Sequence, residues 1–308
     1  MKKAFSLIEL SIVVLIIGIL IAGVVSSSRL VTQIKISSAR SLTASSPVPS
    51  VSGLVAWYET TQEASFDPNI ANQDQVAFWN DINPQSSSKI NLTQSNTTYR
   101  PTYIQSGING IPSLSFNTSH LQVDNLFLNS NYTYFVVFKR STAANTTGMD
   151  ILSIWNTATV GSSGVVFEIQ QSSGAYLGLN RRLRALHRFP FSTSTGTEND
   201  NYASSSYLIQ EDSSYIASFV RNLGGTGGAP TNIYINGNIA SDPLYNGTTA
   251  GLFNASLTLL VGNLSTSNLT KPFLGMIGEI IIYDRALKTD EIADIHKYLS
   301  KKFSIKIN

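Results

Sequence analysis

The sequence predicts a mainly β protein, a sandwich or barrel, carried behind a hydrophobic N-terminal helix and closed by a short C-terminal one. Three observations carry this reading. Phe5 to Val25 is an apolar run of 21 residues with one charge, Glu9. From Gly53 onward, short alternating or wholly apolar runs recur between polar turns at intervals of roughly 8–15 residues, the rhythm of sandwiches and barrels rather than of a parallel α/β sheet. Near the end, Ile292, Ile295, Leu299 and Phe303 return at helical spacing behind Thr289, read as the cap, with Asp290 and Glu291 suited to the positive end of the helix dipole.

The first element follows from its length. At 1.5 Å per residue, 21 helical residues span about 30 Å, the thickness of a bilayer core. Lys2 and Lys3 precede it, and positive flanks stay in the cytoplasm, which places everything after Val25 on the far side. Glu9 is expensive inside an apolar helix and calls for a partner. The stretch KKAFSLIELSIVVLIIGILIAGVV resembles the N-terminal signal of type IV pilins and of the pseudopilins of type II secretion. The resemblance implies that a prepilin peptidase cuts between Ala4 and Phe5 and methylates the new N-terminus. It also implies that Glu9 attracts the N-terminal amine of a neighbouring subunit during filament assembly. Ala4 departs from the glycine usual before the cut. Ser26 to Ser28 stand in the region where many major pilins have proline, as in pseudopilins and minor pilins. A plain signal anchor, or a secretory signal cut after the apolar run, is the alternative.

After the membrane run, Leu30, Ile34 and Leu42 continue the helix weakly. Pro47 and Pro49 end it, because each removes a backbone donor and biases its predecessor to extended conformation. The expected organisation is therefore a leader at 1–4, a transmembrane and assembly helix at 5–44, a linker at 45–52 and a sandwich at 53–308. Strands are read in GLVAWYE, VAFWND, SLSFN, YTYFVVFK, ILSIW, GVVFEIQ, AYLGL, Arg181 to Phe189, SYIASFV, NIYING, LTLLVG and MIGEIIIYD. YTYFVVFK is too continuously apolar for an edge and is placed centrally, and Asn236-Gly237 predicts a tight hairpin.

Composition narrows the function. Of 308 residues, 42% are hydrophobic, ordinary for a folded domain, and 13% are charged. The formal net charge of +2 gives no global attraction for nucleic acid, which is not expected as a partner. With no cysteine, disulfides, thiol nucleophiles and thiolate metal sites are excluded.

The pieces GLVAWYE, FWNDINPQSS, RPTYIQSGINGIPSLSFN and FLGMIGEIIIYDRALKTDEIADIHKYLSKKF resemble the concanavalin A-like, laminin-G-like jelly roll of bacterial surface proteins. The most specific part is the ending G-x-I-x-E-I-x-I-Y-x-R-A-L before a short helix. The resemblance covers Gly53 to Ile305. It implies first and last strands side by side, a sandwich rim free for ligand, and carbohydrate recognition as a usual role.

Retaining glycosidases need two carboxyl groups about 5–5.5 Å apart, and no E-x-D-x-x-E spacing occurs on one strand. Glu168 stands alone in VVFEIQ, Glu279 reads as structural, and Glu198 with Asp200 falls in a polar loop. No catalytic residue and no enzyme activity are expected. His120, His187 and His296 are dispersed, so no metal site is assigned and no cofactor is expected, although the loops Glu211–Ser213 and Glu198–Asn201 carry oxygen ligands of the kind Ca²⁺ takes. Trp57 and Trp79 read as packing residues. Trp155, at a strand end, is the tryptophan placed for a ligand, with Tyr202, Tyr207 and Tyr245 as loop alternatives. In RRLRALHR, a strand would put Arg182, Arg184 and Arg188 on one face and Leu183, Ala185 and His187 on the other. That basic stripe is a candidate anion site or a solvated face neutralised by neighbouring acids.

The function expected from the sequence is a pilin-like filament subunit, a minor pilin, displaying a lectin-like sandwich for adhesion. Its partners would be other pilin subunits, prepilin peptidase, the bacterial inner membrane before assembly, and a glycan or protein ligand outside the cell. The rivals are a type II secretion pseudopilin in the periplasm and an anchored or secreted carbohydrate-active hydrolase.

Overall fold

A computed structural model describes residues 7–126, 131–141, 148–155, 164–170, 181–188, 200–222, 231–246, 257–263 and 271–307. The long helix α1 (Leu7–Ala44) leads into strands β1 (Leu54–Glu59), β2 (Phe78–Trp79), β3 (Leu92–Thr93), β4 (Thr102–Ile108), β5 (Ile111–Phe116), β6 (Leu121–Leu126), β7 (Tyr132–Arg140), β8 (Met149–Trp155) and β9 (Gly164–Ile169). There follow β10 (Arg182–Arg188), β11 (Asp200–Leu208), β12 (Ser214–Arg221), β13 (Thr231–Ile235), β14 (Asn238–Ile239), β15 (Ser241–Asn246), β16 (Leu257–Val261), β17 (Gly275–Tyr283) and the closing helix α2 (Thr289–Phe303). The predicted strand AYLGL lies outside the described residues.

The strands form two sheets. One runs β14-β13-β12-β7-β17-β5-β4, with β1 pairing to the other half of the β17 edge that carries β5; the second runs β15-β11-β10-β9-β8-β16-β6-β3-β2. As the continuous apolar run requires, β7 is central, flanked by β12 and β17. The first and last strands lie antiparallel, Trp57 opposite Ile281 and Glu59 opposite Glu279. Asn236 (φ 50°) and Gly237 (φ 86°) make the β13–β14 turn, whose two left-handed residues match the strand twist.

Side-chain alternation gives the first sheet two apolar faces. Tyr134, Val136, Phe219 and Ile280 point into the sandwich, against Leu152, Phe167 and Leu259 of the second sheet. Phe135, Val137, Ile281 and Tyr283 point out, under Ala39 of α1 and Ile292, Ile295, Leu299 and Phe303 of α2. The architecture is thus three-layered: helices, first sheet, second sheet. Gly278 serves this packing, since a Cβ there would come within 2.6 Å of the Phe303 ring, and the register of β17 shifts beside it, between Ile277 and Glu279.

Lys288 rather than Thr289 stands at the N-cap of α2. Its backbone N–H donates to Glu291 Oε2 at 2.8 Å, and Arg285 grips the same carboxylate at 2.6 and 2.9 Å. The hydrogen bonds from Arg285 pull the Glu291 pKa down to about 2. The Glu291 carboxylate thus accepts the N–H at the start of the helix while Arg285 holds it in place.

The stretch between α1 and β1 is pinned to the sandwich. Val48 and Val51 are buried, and Tyr283 donates its hydroxyl to Val48 O at 3.0 Å. The FWNDINPQ motif explains the rest. Asp81 Oδ1 accepts from the backbone of Trp57 and Asn83 at 2.9 Å, Asn83 Nδ2 holds Leu54 O at 2.9 Å, and Gln85 Nε2 holds Pro49 O and Val51 O at 2.8 Å.

Candidate functional site

With α1 and α2 on the first sheet, the outer face of the second sheet looks away from the helices. On β8, β9 and β10 the register sets Asp150 opposite Glu168 and Glu168 opposite Arg184. Lys271, from the segment before β17, closes the group: its backbone carbonyl accepts from Asp150 N at 3.0 Å, and its Nζ donates to Glu168 Oε2 at 3.2 Å. Arg184 ion-pairs with the other Glu168 oxygen. Asp150 and Glu168 are both buried.

Burial alone would raise both carboxyls. For Glu168 the positive charges of Arg184 and Lys271 more than offset it and hold the pKa below the usual glutamate range. For Asp150, burial and then the adjacent Glu168 charge push the pKa well above the aspartate range, with the two cations only partly compensating. Burial and the Glu168 charge thus bias a proton of the pair toward Asp150, while Arg184 and Lys271 favour the charge on Glu168.

A second juxtaposition, Ser218 with His296, lies between the first sheet and α2. His296 Nδ1 accepts the Gly237 N–H at 3.0 Å, so the ring proton sits on Nε2 and donates to Ser218 Oγ at 2.9 Å. Burial lowers the histidine to about 4. A histidine of that tautomer cannot take the serine proton, and the pair is structural.

The residues singled out in the sequence are distributed as follows. Ala4 and Phe5 lie outside the described residues. Glu9 sits on α1 in its first turn, exposed. Trp57 and Trp79 are buried, their indoles donating to Glu279 Oε1 and to Glu59 O, each at 2.7 Å. Trp155 ends β8, opposite Gly164 and Thr258. Tyr202 and Tyr245 are register partners on β11 and β15, and Tyr207 is exposed. In β10, Leu183, Ala185 and His187 are buried, His187 Nδ1 meeting Tyr132 OH at 2.8 Å. Arg182 donates to Ser205 O at 3.4 Å, Arg184 belongs to the Glu168 group, and Arg188 ends the strand opposite Asp200. In the Glu211–Ser213 loop, Glu211 meets Arg140 at 3.3 Å and Asp212 meets Lys139 at 3.6 Å. Of the Glu198–Asn201 loop, Glu198 and Asn199 lie outside the described residues. Among the described residues no group of three His, Asp or Glu converges as a metal site would.

A sequence model of the concanavalin A-like lectin/glucanases superfamily matches residues 117–293. No curated protein sequence matches the chain. Among solved structures, Trypanosoma rangeli sialidase in complex with sialic acid is 13% identical, with a TM-score of 0.50 over 82% of this chain and 34% of the sialidase. The same organism's sialidase in complex with 2,3-difluoro-KDN is 12% identical, with a TM-score of 0.51 over 89% of this chain and 39% of that one. Domain 4 of AbnA, an extracellular arabinanase from Geobacillus stearothermophilus, in complex with arabinotriose, is 16% identical, with a TM-score of 0.45 over 79% of this chain and 98% of the domain. The chain spans about a third of the length of the sialidases it matches, and at these identities the likeness is one of fold.

The expectation that the chain is not an enzyme is corrected by these findings. Its fold is one that sialidases contain, so the lack of a catalytic spacing within one strand excludes nothing. Its physical ground also fails, because Glu168 does not stand alone: Asp150 lies beside it on the neighbouring strand. Carboxylates 18 positions apart, with a strand reversal between them, leave no spacing signature. Asp150, the one charged residue in the largely apolar run MDILSIW from Met149 to Trp155, was the available hint.

Proposed function

Because the chain belongs to the concanavalin A-like lectin/glucanases superfamily, we propose that it is a lectin-like binding module displayed outside a bacterial cell as a subunit of a type IV pilus-like filament. The observation that carries this reading is the continuity of α1. One unbroken helix runs from Leu7 to Ala44, its first half apolar and free of the sandwich, its last turns built into it. It is long and apolar enough to cross a membrane, and the same surface can pack against copies of itself once withdrawn from lipid. Glu9, near its start, then meets the N-terminal amine of a neighbouring subunit, and the sandwich meets a glycan. Intact mass and N-terminal sequencing, in cells with and without prepilin peptidase, test the filament part. The expected mature chain begins at methylated Phe5 and forms only with the peptidase present. A start at Met1, or a cut after the apolar run, overturns it.

One observation favours a second reading, glycoside hydrolysis. Asp150, whose carboxyl is pushed up by burial and by Glu168, would be the proton donor to the leaving oxygen, and Glu168, pulled down by Arg184 and Lys271, the base or nucleophile. Release of free sugar from sialyllactose or arabinotriose by the full-length chain, lost in Asp150→Asn, is the expected result on this reading. Undiminished release by that variant overturns the role of the pair.

A further inference from the structure

Between β1 and β2 the chain folds into a groove beside the open edge of the second sheet. Its volume is about 380 Å³, within the range of preformed small-ligand sites. Phe66 and Val76 are buried at its base, while Asp67, Asn69, Asp74 and Phe78 are exposed around it. Phe78 is 38% exposed, although it adjoins the wholly buried Trp79 in a two-residue edge strand; the alternation of β2 turns its ring outward.

The groove is held open by contacts that do not involve a ligand. Phe66 stacks on Trp79 at 6.1 Å and meets Tyr103 edge-on at 5.5 Å. On the opposite wall, Gln73 N donates to Tyr103 O, Tyr103 N to Asp74 O and Val76 N to Pro101 O, all at 2.8 Å. Each aspartate spends one oxygen on its own loop: Asp67 Oδ1 accepts from Asn69 N at 2.9 Å and Asp74 Oδ2 from Ala71 N at 2.8 Å. These loop bonds leave the second oxygen of each carboxylate unused. Among the described residues lining the groove there is no Lys, Arg or His.

We propose that this groove is a subsite for a neutral pyranose of a glycan chain, a proposal that rests on the glycan-binding reading above. Phe78 offers an aromatic face to the apolar C–H side of the ring. Asp67 and Asp74 accept from its hydroxyls, and the Asn69 amide both donates and accepts. Two carboxylates without a cation select against sugars that carry a carboxylate, such as sialic acid, by like-charge repulsion. Preformed walls lower the ordering cost of binding.

The test uses the full-length chain in a detergent without a sugar headgroup, titrated calorimetrically with glucose-, galactose- and mannose-terminated oligosaccharides and with 3′-sialyllactose. Saturable binding of a neutral oligosaccharide is expected, with no binding of 3′-sialyllactose. Phe78→Ala and Asp74→Asn should each weaken it about tenfold or more at an unchanged melting temperature, because Phe78 is a rim residue and asparagine keeps an acceptor for Ala71 N. If neutral sugars bind and both variants bind like wild type, the groove is not the site, while the glycan-binding reading survives. Preference for 3′-sialyllactose overturns the charge selection. Absence of any saccharide binding overturns both the groove and the glycan-binding reading.

Discussion

Lys302→Met should destabilise the protein by about 3–5 kcal/mol, the usual cost of leaving buried charge without its partner. Lys302 Nζ, wholly buried, lies 2.7 Å from Glu59 Oε2 and 2.8 Å from Glu279 Oε2, and both glutamates are wholly buried as well. The two carboxylates face each other directly across β1 and β17, an arrangement that repels unless a cation sits between them. They are not equivalent. Glu59 also accepts from Thr61 N and Oγ1, Gln62 N and Ser65 Oγ at 2.5–2.8 Å. Burial would raise its pKa, but Lys302 and these donors bring it below the usual value. Glu279 accepts from Trp57 Nε1 at 2.7 Å and Tyr298 OH at 2.8 Å, yet burial outweighs Lys302, the repulsion of Glu59 adds to it, and its pKa is raised.

The pH dependence follows from these directions. The contribution of Glu59 is complete above the ordinary glutamate pKa of about 4.3 and is lost as the pH falls through its lower folded value. Glu279 works in the opposite sense, since its raised pKa is a penalty at neutral pH that acid relieves. In Lys302→Met both carboxyls lose the cation and rise. Urea denaturation should therefore show the largest difference from wild type near pH 7 and a smaller one near pH 4. A difference under about 1 kcal/mol at pH 7, typical of an exposed pair, would overturn the role of Lys302.

Deletion of residues up to Ile34 should leave the sandwich as stable as in the whole chain, whereas deletion through Ala44 should cost about 2–4 kcal/mol. The helix changes character between these points. Leu30, Val31 and Ile34 are exposed, but Ala39 and Thr43 are buried. Arg40 Nε donates to Thr61 O at 2.6 Å, Gln62 Nε2 returns a bond to Arg40 O at 3.1 Å, and Thr43 Oγ1 meets Tyr298 OH at 3.2 Å. The last contact joins α1 to the Glu279–Lys302 group, so the apolar helix and the buried charges are parts of one junction. A ten-residue helix end is marginal by itself and is held by this docking. Thermal melts of the two truncated chains decide the matter; equal stability would show that the helix end contributes nothing.

Local pattern was enough for much of the fold. The short apolar runs GLVAWYE and SYIASFV, the Asn236-Gly237 turn, the apolar stripe of α2 and the Phe5–Val25 run are each legible from neighbouring residues alone. In the Arg182–Arg188 strand Leu183, Ala185 and His187 are buried, but the charge of Arg184 is answered by Glu168 of the neighbouring strand. The groove at Phe78 left only the trace of an aromatic residue beside a core tryptophan.

The sequence by itself therefore determined the β rhythm, the two helices and the family, because side-chain periodicity and turn chemistry are local properties. Tertiary structure alone decided which charges meet. Register set Asp150 against Glu168, and the pairing of β1 with β17, with α2 packed on that sheet's outer face, brought Glu59, Glu279 and Lys302 together across more than 200 positions. Buried charge is tolerated only where folding supplies its partner, and that pairing is fixed by strand order and packing rather than by any spacing along the chain.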